Sequence, residues 1–251
     1  MDLSLNGKTA LVTGSTAGIG FAIAELLGKQ GARVIVNGRT QARVTDAIDR
    51  IRQEAPKADV VGFAADLGAV AGVQAIAAAF PDVDILVNNL GIYDVKSFEE
   101  LTDDDWTHAF DVNVMSGVRL VRAYLPRLRA SNWGRIIFIS SVVANVAPAN
   151  TAHYNATKAA QVVIARGLAD SLAGTQVTVN SVLVGPTETE GSQALAAKHP
   201  AFSKAVIDST LIKRLLRADE IANVVAYLAS EASSGTTGAA LRVDGGAVKH
   251  I

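Results

Sequence analysis

The chain of 251 residues contains no cysteine. Disulfides, zinc–thiolate sites, iron–sulfur clusters and a cysteine nucleophile are excluded together. An excess of charge of one sign is missing too: 23 Lys and Arg face 24 Asp and Glu, a formal net charge of −1 at pH 7. With no basic stripe to neutralise phosphates, nucleic acid is not an expected partner. No stretch of 18 uncharged apolar residues occurs, and Met1 to Lys8 lacks a basic segment followed by an apolar one. Neither a membrane span nor a secretion signal is therefore expected, and a cytoplasmic location is. Aromatic residues are scarce at 5%, against 49% hydrophobic overall. What is present is an aliphatic, Ala- and Val-rich composition, ample at this length for a core without covalent staples.

Short β-branched runs alternate with longer helical stretches from end to end, which predicts an α/β fold built on a parallel sheet. The runs are Thr9 to Thr13, Arg33 to Asn37, Asp59 to Ala64, Ile85 to Asn88, Arg135 to Ser140, Gln176 to Leu183 and Ala240 to Val243. They give seven strands. Most are uniformly apolar, as expected where helices cover both faces. Helices are predicted at about residues 18–30, 40–54, 69–79, 103–130, 152–173 and 218–230. The expectation is one doubly wound (Rossmann) domain over 1–251, with a long insertion at about 186–217 whose length suggests a function of its own.

The first strand runs into Gly14-Ser15-Thr16-Ala17-Gly18-Ile19-Gly20 and then the apolar-periodic Phe21 to Leu27. Residues without a Cβ let the backbone turn tightly and approach a pyrophosphate, whose charge sits against the following helix N-terminus. Gly14, Ser15, Thr16, Gly18, Ile19 and Gly20 are thus candidate cofactor contacts. Sites of this kind place an Asp or Glu about 20 residues on for a ribose 2′-hydroxyl, or an Arg for a 2′-phosphate. The second strand ends Val36-Asn37-Gly38-Arg39-Thr40, with no carboxylate at its tip. A guanidinium clamps a phosphate in bidentate fashion and gains little from a hydroxyl, so Arg39 predicts NADP(H) in preference to NAD(H). The plain alternative for Arg39 is a solvated residue before a helix. Asp66, after the third strand, either accepts from an adenine amino group or caps the helix beginning near Gly68.

Ser141 falls at the carboxyl end of the fifth strand, where ligands of such sheets bind. Tyr154 and Lys158 lie four apart on the next helix, one face, about 6 Å along its axis. A free tyrosine is only ~0.1% phenolate at pH 7, and bringing it near neutrality takes roughly 4 kcal/mol of differential stabilisation. A neighbouring ammonium, aided by a cationic nicotinamide, is the right kind of perturber. Tyr154 would then act as general acid in reduction and base in oxidation, with Ser141 donating to the substrate oxygen.

With these residues in place the sequence resembles the short-chain dehydrogenase/reductase family over nearly its whole length. The motifs occur in order: Thr13-Gly14-x3-Gly18-Ile19-Gly20, Asn88-Asn89-x-Gly91, Asn113, Ser141, Tyr154-x3-Lys158 and Val243-Asp244-Gly245-Gly246. The thirteen-residue interval from Ser141 to Tyr154 selects Ser141 over Ser140. The resemblance implies a catalytic tetrad of Asn113, Ser141, Tyr154 and Lys158, in which the asparagine holds a water linking the lysine to solvent and the lysine also holds the nicotinamide ribose. It implies an adenine contact at Asp66 and Leu67, cofactor contacts at Asn88 and Gly91, and Thr189 reaching the carboxamide. It also implies a homotetramer formed through the long helices and the segment after Gly246. Two positions depart from the pattern: Leu90 replaces a small residue and is expected to narrow the pocket, and Val184 stands where a proline is usual.

On the substrate side, Leu195, Phe202, Val206, Ile207, Leu211 and Ile212 alternate with Lys198, His199 and Lys204, which suggests an amphipathic lid. Ile92, Tyr93, Val143, Asn145, Val146 and His153 suggest a partly apolar pocket. His153 points roughly 100° away from Tyr154 and is expected to be a wall or interface residue. His108, His199 and His250 form no ligand spacing, so no metal is expected. Asp103 to Asp105 read as a helix N-terminus, and Trp106 and Trp133 as structural. The expected function is interconversion of a ketone or aldehyde and an alcohol, with reduction the expected direction and a 3-oxoacyl thioester among the candidate substrates. An NAD-dependent alcohol dehydrogenase and a non-catalytic dinucleotide sensor are the alternatives.

Overall fold

The computed structural model describes residues 3–198 and 200–249; His199 and His250 lie outside them, as do the side chains of Leu195, Lys198 and Phe202. Seven parallel strands form a single sheet among the described residues, in the order β3-β2-β1-β4-β5-β6-β7. They are β1 (Thr9–Val12), β2 (Arg33–Gly38), β3 (Val60–Ala64), β4 (Ile85–Asn88), β5 (Gly134–Ser141), β6 (Val177–Val184) and β7 (Ala240–Val243). β5 and β6 are buried along their entire lengths. Because the chain builds outward from β1 to β3 and then returns to start β4 on the other side of β1, a crevice opens at the carboxyl ends of β1 and β4.

Alternate strand residues feed two cores. Val12, Val34 and Val36 join Ile23 and Leu27 of α1 (Gly18–Lys29) and Ile221 and Val225 of α10 (Ala218–Ala229). On the opposite face, Leu11 and Ile35 join Val73 and Ile76 of α3 (Val70–Ala79), Leu120 and Tyr124 of α5 (Ser116–Ser131) and Ala165 of α7 (Ala152–Ser171). α2 (Gln41–Glu54) buries Val44, Ala47 and Ile51, a helical spacing on one stripe.

The continuous helix expected over 103–130 is interrupted. α4 (Asp103–Phe110) starts at a Thr102 cap that accepts from Asp105 N, as the acidic run suggested. It passes into a π-wound turn, Asp111–Met115, before α5. The hydrophobic period does not report a π-turn, because the extra residue keeps both flanking helices facing the core. The insertion, expected as an amphipathic lid without assigned helices, holds α8 (Glu190–Lys198) and α9 (Pro200–Ser209). Its base is closed by Leu216 N donating to Pro186 O and Glu188 N donating to Leu216 O, both 2.8 Å. Beyond α9, Leu211 N donates to Gly245 O, which pins the far end to the turn after β7. Trp133 lies between Lys8 Nζ and the Arg135 guanidinium, at 3.6 and 4.4 Å from its ring centre, a structural use. No described helix is long and apolar enough to cross a membrane.

Candidate active site

Thr13 fastens the crevice. Its hydroxyl oxygen accepts from Asn89 N and Leu90 N, each at 2.9 Å, so the exit of β1 is tied to the loop after β4. Asn89 Nδ2 donates to Thr13 O and Gly14 O. Gly14 and Gly18 adopt φ of 61° and 57°, left-handed values that a side chain disfavours. A Cβ on Gly18 would meet Thr189 Cγ2 at 3.4 Å, which places Thr189 directly across the glycine turn. The Ala17 cap of α1 offers no side-chain bond, and the first turn carries no acid. Its N–H groups are therefore left for a ligand, and an anionic pyrophosphate fits there. Ser15, by contrast, spends its hydroxyl within the fold, donating to Val12 O and accepting from Asn37 N. Ile19 is partly buried against the α1 core.

At the ribose end, Asn37 is committed to Gly14 N, Phe63 O and Ala65 O. Thr16 packs over Gly38, where a Cβ would lie 2.5 Å from its Cγ2. Arg39 is exposed and has no hydrogen-bond or ion-pair partner among the described residues, and Arg43 in the first turn of α2 is in the same state. Both suit an anion. Asp66 Oδ1 accepts from Gly68 N at 3.0 Å in a local turn, while the cap of α3 is Ala69. The capping alternative thus takes the form of a turn before the helix. Leu67 is buried in the core, leaving only its backbone for a cofactor. Asn88 is also buried, its amide close to Gly117 and without a partner.

β5 and α7 bring the chemistry together. Ser140 Oγ donates to Lys158 O at 2.8 Å and is used to seat α7 on the sheet. Ser141 points the other way, beside Tyr154: its hydroxyl donates to Val184 O at 3.2 Å and accepts from Val143 N at 3.3 Å. Lys158 Nζ lies 5.6 Å from the Tyr154 ring centre and donates to Ile139 O at 2.8 Å and Gln161 Oε1 at 3.2 Å. Asn113 sits in the π-wound turn. Its side chain accepts from Ile92 N and donates to Ile92 O and Thr157 Oγ1, and its main-chain carbonyl accepts from Gln161 Nε2 at 2.6 Å. A Cβ on Gly91 would stand 3.5 Å from both Asn113 Oδ1 and Lys158 Nζ, so that glycine leaves the space above them open. Thr157 and Gln161 were not foreseen. Each lies three residues after a named group, and polar residues on the buried face of a helix were the signal.

Burial dominates the electrostatics of the protein's own groups at the site. It pushes the Tyr154 phenol up to about 12, with the neighbouring Ser141 hydroxyl pulling in the opposite direction and Tyr93 adding to the rise. It pushes the Lys158 ammonium down to about 8. The neighbouring ammonium expected to acidify the phenol does not by itself overcome desolvation.

Tyr93 packs on Tyr154 with ring centres 5.9 Å apart, and its hydroxyl reaches the start of α8 at Gly191. His153 is buried against Trp106, with Nδ1 unpartnered. Leu90 packs sideways onto the α3–α5–α7 core beside Gly14; the narrowing expected of it has this packing as its competitor for the side chain. Val184 ends β6 in register with Ser141 and Val243. A groove of about 450 Å³, lined by Phe98, Val143, Pro148, Ala152 and Ala156 among others, runs along the far side of α7 and includes none of Asn113, Ser141, Tyr154 or Lys158.

A family model described as enoyl-(acyl carrier protein) reductase matches residues 14–248. The chain is 45% identical to the "uncharacterized oxidoreductase YvaG" of Bacillus subtilis strain 168 over the whole of both chains. It is 36% identical to the 3-oxoacyl-[acyl-carrier-protein] reductase FabG of Salmonella typhimurium strain LT2, covering 97% of this chain and 98% of that one. Among solved structures, L-sorbose reductase from Gluconobacter frateurii, complexed with NADPH and L-sorbose, superposes with a TM-score of 0.93 at 31% identity over all of both chains.

Proposed function

The chain belongs to the short-chain dehydrogenase/reductase family and is an oxidoreductase, and from that premise we propose an NADP(H)-preferring enzyme that interconverts a ketone or aldehyde and the corresponding alcohol. The observation that carries the reading is the gathering of Ser141, Tyr154 and the Lys158 ammonium at the carboxyl end of β5, with Lys158 Nζ 5.6 Å from the Tyr154 ring centre. The nicotinamide cofactor, when bound, supplies or accepts the hydride at the carbonyl carbon. Tyr154 supplies the proton to the carbonyl oxygen in reduction and removes it in oxidation. The Ser141 hydroxyl turns from Val184 O to the substrate oxygen as negative charge develops there. Lys158 steadies the phenolate after proton loss, and Asn113 fixes the loop at Ile92 that borders the reacting groups.

Gly14, Thr16, Gly18 and Gly20 hold the pyrophosphate, with Thr189 opposite; Arg39 holds the 2′-phosphate, and the exposed Asp66 serves the adenine. The absence of a carboxylate at the β2 tip supports NADP(H), as does the NADPH bound by the sorbose reductase relative. Residues 1–251 act as one domain with 186–217 as a substrate lid. Assembly as a homotetramer is carried over from the family resemblance.

The test follows NADPH consumption with a panel containing a 3-oxoacyl thioester and L-sorbose, the substrates named for two relatives, alongside cyclic ketones and other sugars. Tyr154→Phe should bind NADPH and lose turnover on whichever substrate reacts. Undiminished activity in that variant would overturn the assignment, and equal use of NADH would remove the cofactor preference.

A further inference from the structure

Gln161 stands one turn beyond Lys158 on α7 and is 1% exposed. A buried amide left unpaired costs about 1–3 kcal/mol, yet here both of its ends are engaged. Nε2 donates to Asn113 O at 2.6 Å, and Oε1 accepts from Lys158 Nζ at 3.2 Å. The orientation is forced: a carbonyl can only accept, so the nitrogen must face Asn113 and the oxygen must face the ammonium. Among the described residues Lys158 has one other acceptor, Ile139 O, and no carboxylate faces it. The titratable group facing it among the described residues is Tyr154 on its own helix, on which Tyr93 from the loop after β4 packs. No hydrogen bond joins Asn113 to Lys158 directly among the described residues; the glutamine amide makes the connection.

We propose that Gln161 is a positioning residue for the proton-transfer step, fixing Lys158 as an ammonium beneath Tyr154 by tying it to the π-wound turn that carries Asn113. The inference rests on the reading of Tyr154 as general acid and base. An ammonium with one acceptor fewer deprotonates more readily, and a neutral amine does not stabilise a phenolate. Loss of the amide therefore moves Lys158 ionisation to lower pH and Tyr154 ionisation to higher pH.

Gln161→Leu and Gln161→Met keep the volume and remove the acceptor; Gln161→Glu replaces it with a carboxylate. The Lys158 ionisation midpoint is followed in the cofactor-free proteins by NMR of lysine labelled at the ε-carbon, with Lys158→Met to identify the signal. The expected order is Leu and Met below wild type and Glu above it. In alcohol oxidation, the rising limb of kcat/KM against pH should shift upward by about one unit in the Leu and Met variants, with NADPH affinity within about twofold of wild type. Midpoints that coincide in all the variants, or pH profiles that superimpose while kcat alone falls, would reduce Gln161 to a packing residue and overturn the inference. Tyr154→Phe, run in parallel, reports separately on the catalytic reading, since its retention of activity would fail that reading whatever Gln161 does. A Leu variant that does not fold leaves the Met and Glu comparison to decide.

Discussion

The Lys158 ammonium lies 5.6 Å from the centre of the Tyr154 ring on one face of α7, and burial drives the two groups toward neutrality from opposite sides. The resting pair is accordingly a neutral phenol, at about 12, beside an amine that titrates at about 8. That state is ready to donate a proton, which suits reduction. In the proposed oxidation, work as a base would need additional positive charge, which an oxidised nicotinamide would bring.

Tyr154 should therefore remain un-ionised in the cofactor-free protein up to about pH 10 and ionise earlier once NADP⁺ is bound, because an added cation favours the phenolate. The difference in phenolate absorbance between wild type and Tyr154→Phe, titrated with and without NADP⁺, reads this. Ionisation of Tyr154 near neutrality without cofactor would show Lys158 to be sufficient alone.

Stability should carry the mark of the buried lysine. Its folded value is depressed, so the unfolded chain binds the proton more tightly, and stability rises with pH between about 8 and the unfolded value of 10.5. Integration from pH 7.5 to 9.5 gives about 2 kcal/mol gained by wild type. Lys158→Met lacks that gain. Denaturant melts of both proteins at the two pH values should show wild type advancing on the variant by about that amount, and parallel changes would mean the amine is solvated.

Arg39 has no side-chain partner among the described residues, so replacing it removes no contact they make. Arg39→Asp should leave the melting temperature unchanged, since exposed sites without contacts move stability by about 0.5 kcal/mol or less. Affinity for NADPH should fall about 10- to 100-fold, the equivalent of the ~1.5–3 kcal/mol carried by a hydrogen bond to a charged group. NADH should be spared. Fluorescence titrations with both nucleotides check the ratio, and equal losses would point to a role outside the 2′-phosphate.

The seven strands and the helices on both faces were legible because aliphatic runs such as Ile136 to Ile139 mark buried strands and α2 repeats Val44, Ala47 and Ile51 at helical spacing. Ser141, Tyr154 and Lys158 were legible because their separations reflect one strand end and one helix turn. What escaped depends on partners distant in sequence. Ser15 looks like a phosphate contact until Asn37 claims its hydroxyl, and Gln161 looks like a surface residue until Asn113 and Lys158 close around it. The π-wound turn was hidden because a helix period does not register a single extra residue.

Gly20 tests how tightly the glycine turn is built. Its φ lies outside the left-handed region, so helix propensity alone would favour alanine by about 1 kcal/mol. Sterics oppose it: the added Cβ would lie 2.4 Å from Asn89 Nδ2, 2.6 Å from Gly14 O and 3.0 Å from Ser15 Cα. Asn89 cannot swing aside freely, because the same nitrogen donates to Thr13 O and Gly14 O. Relief must come from the backbone of the turn, at a cost of about 1–3 kcal/mol for overpacking. Gly20→Ala should therefore lower the melting temperature by several degrees and weaken NADPH binding at least tenfold, in contrast to Arg39→Asp, which affects binding alone. A variant that melts higher and binds normally would mean that propensity wins and that the crevice between β1 and β4 is looser than these distances imply.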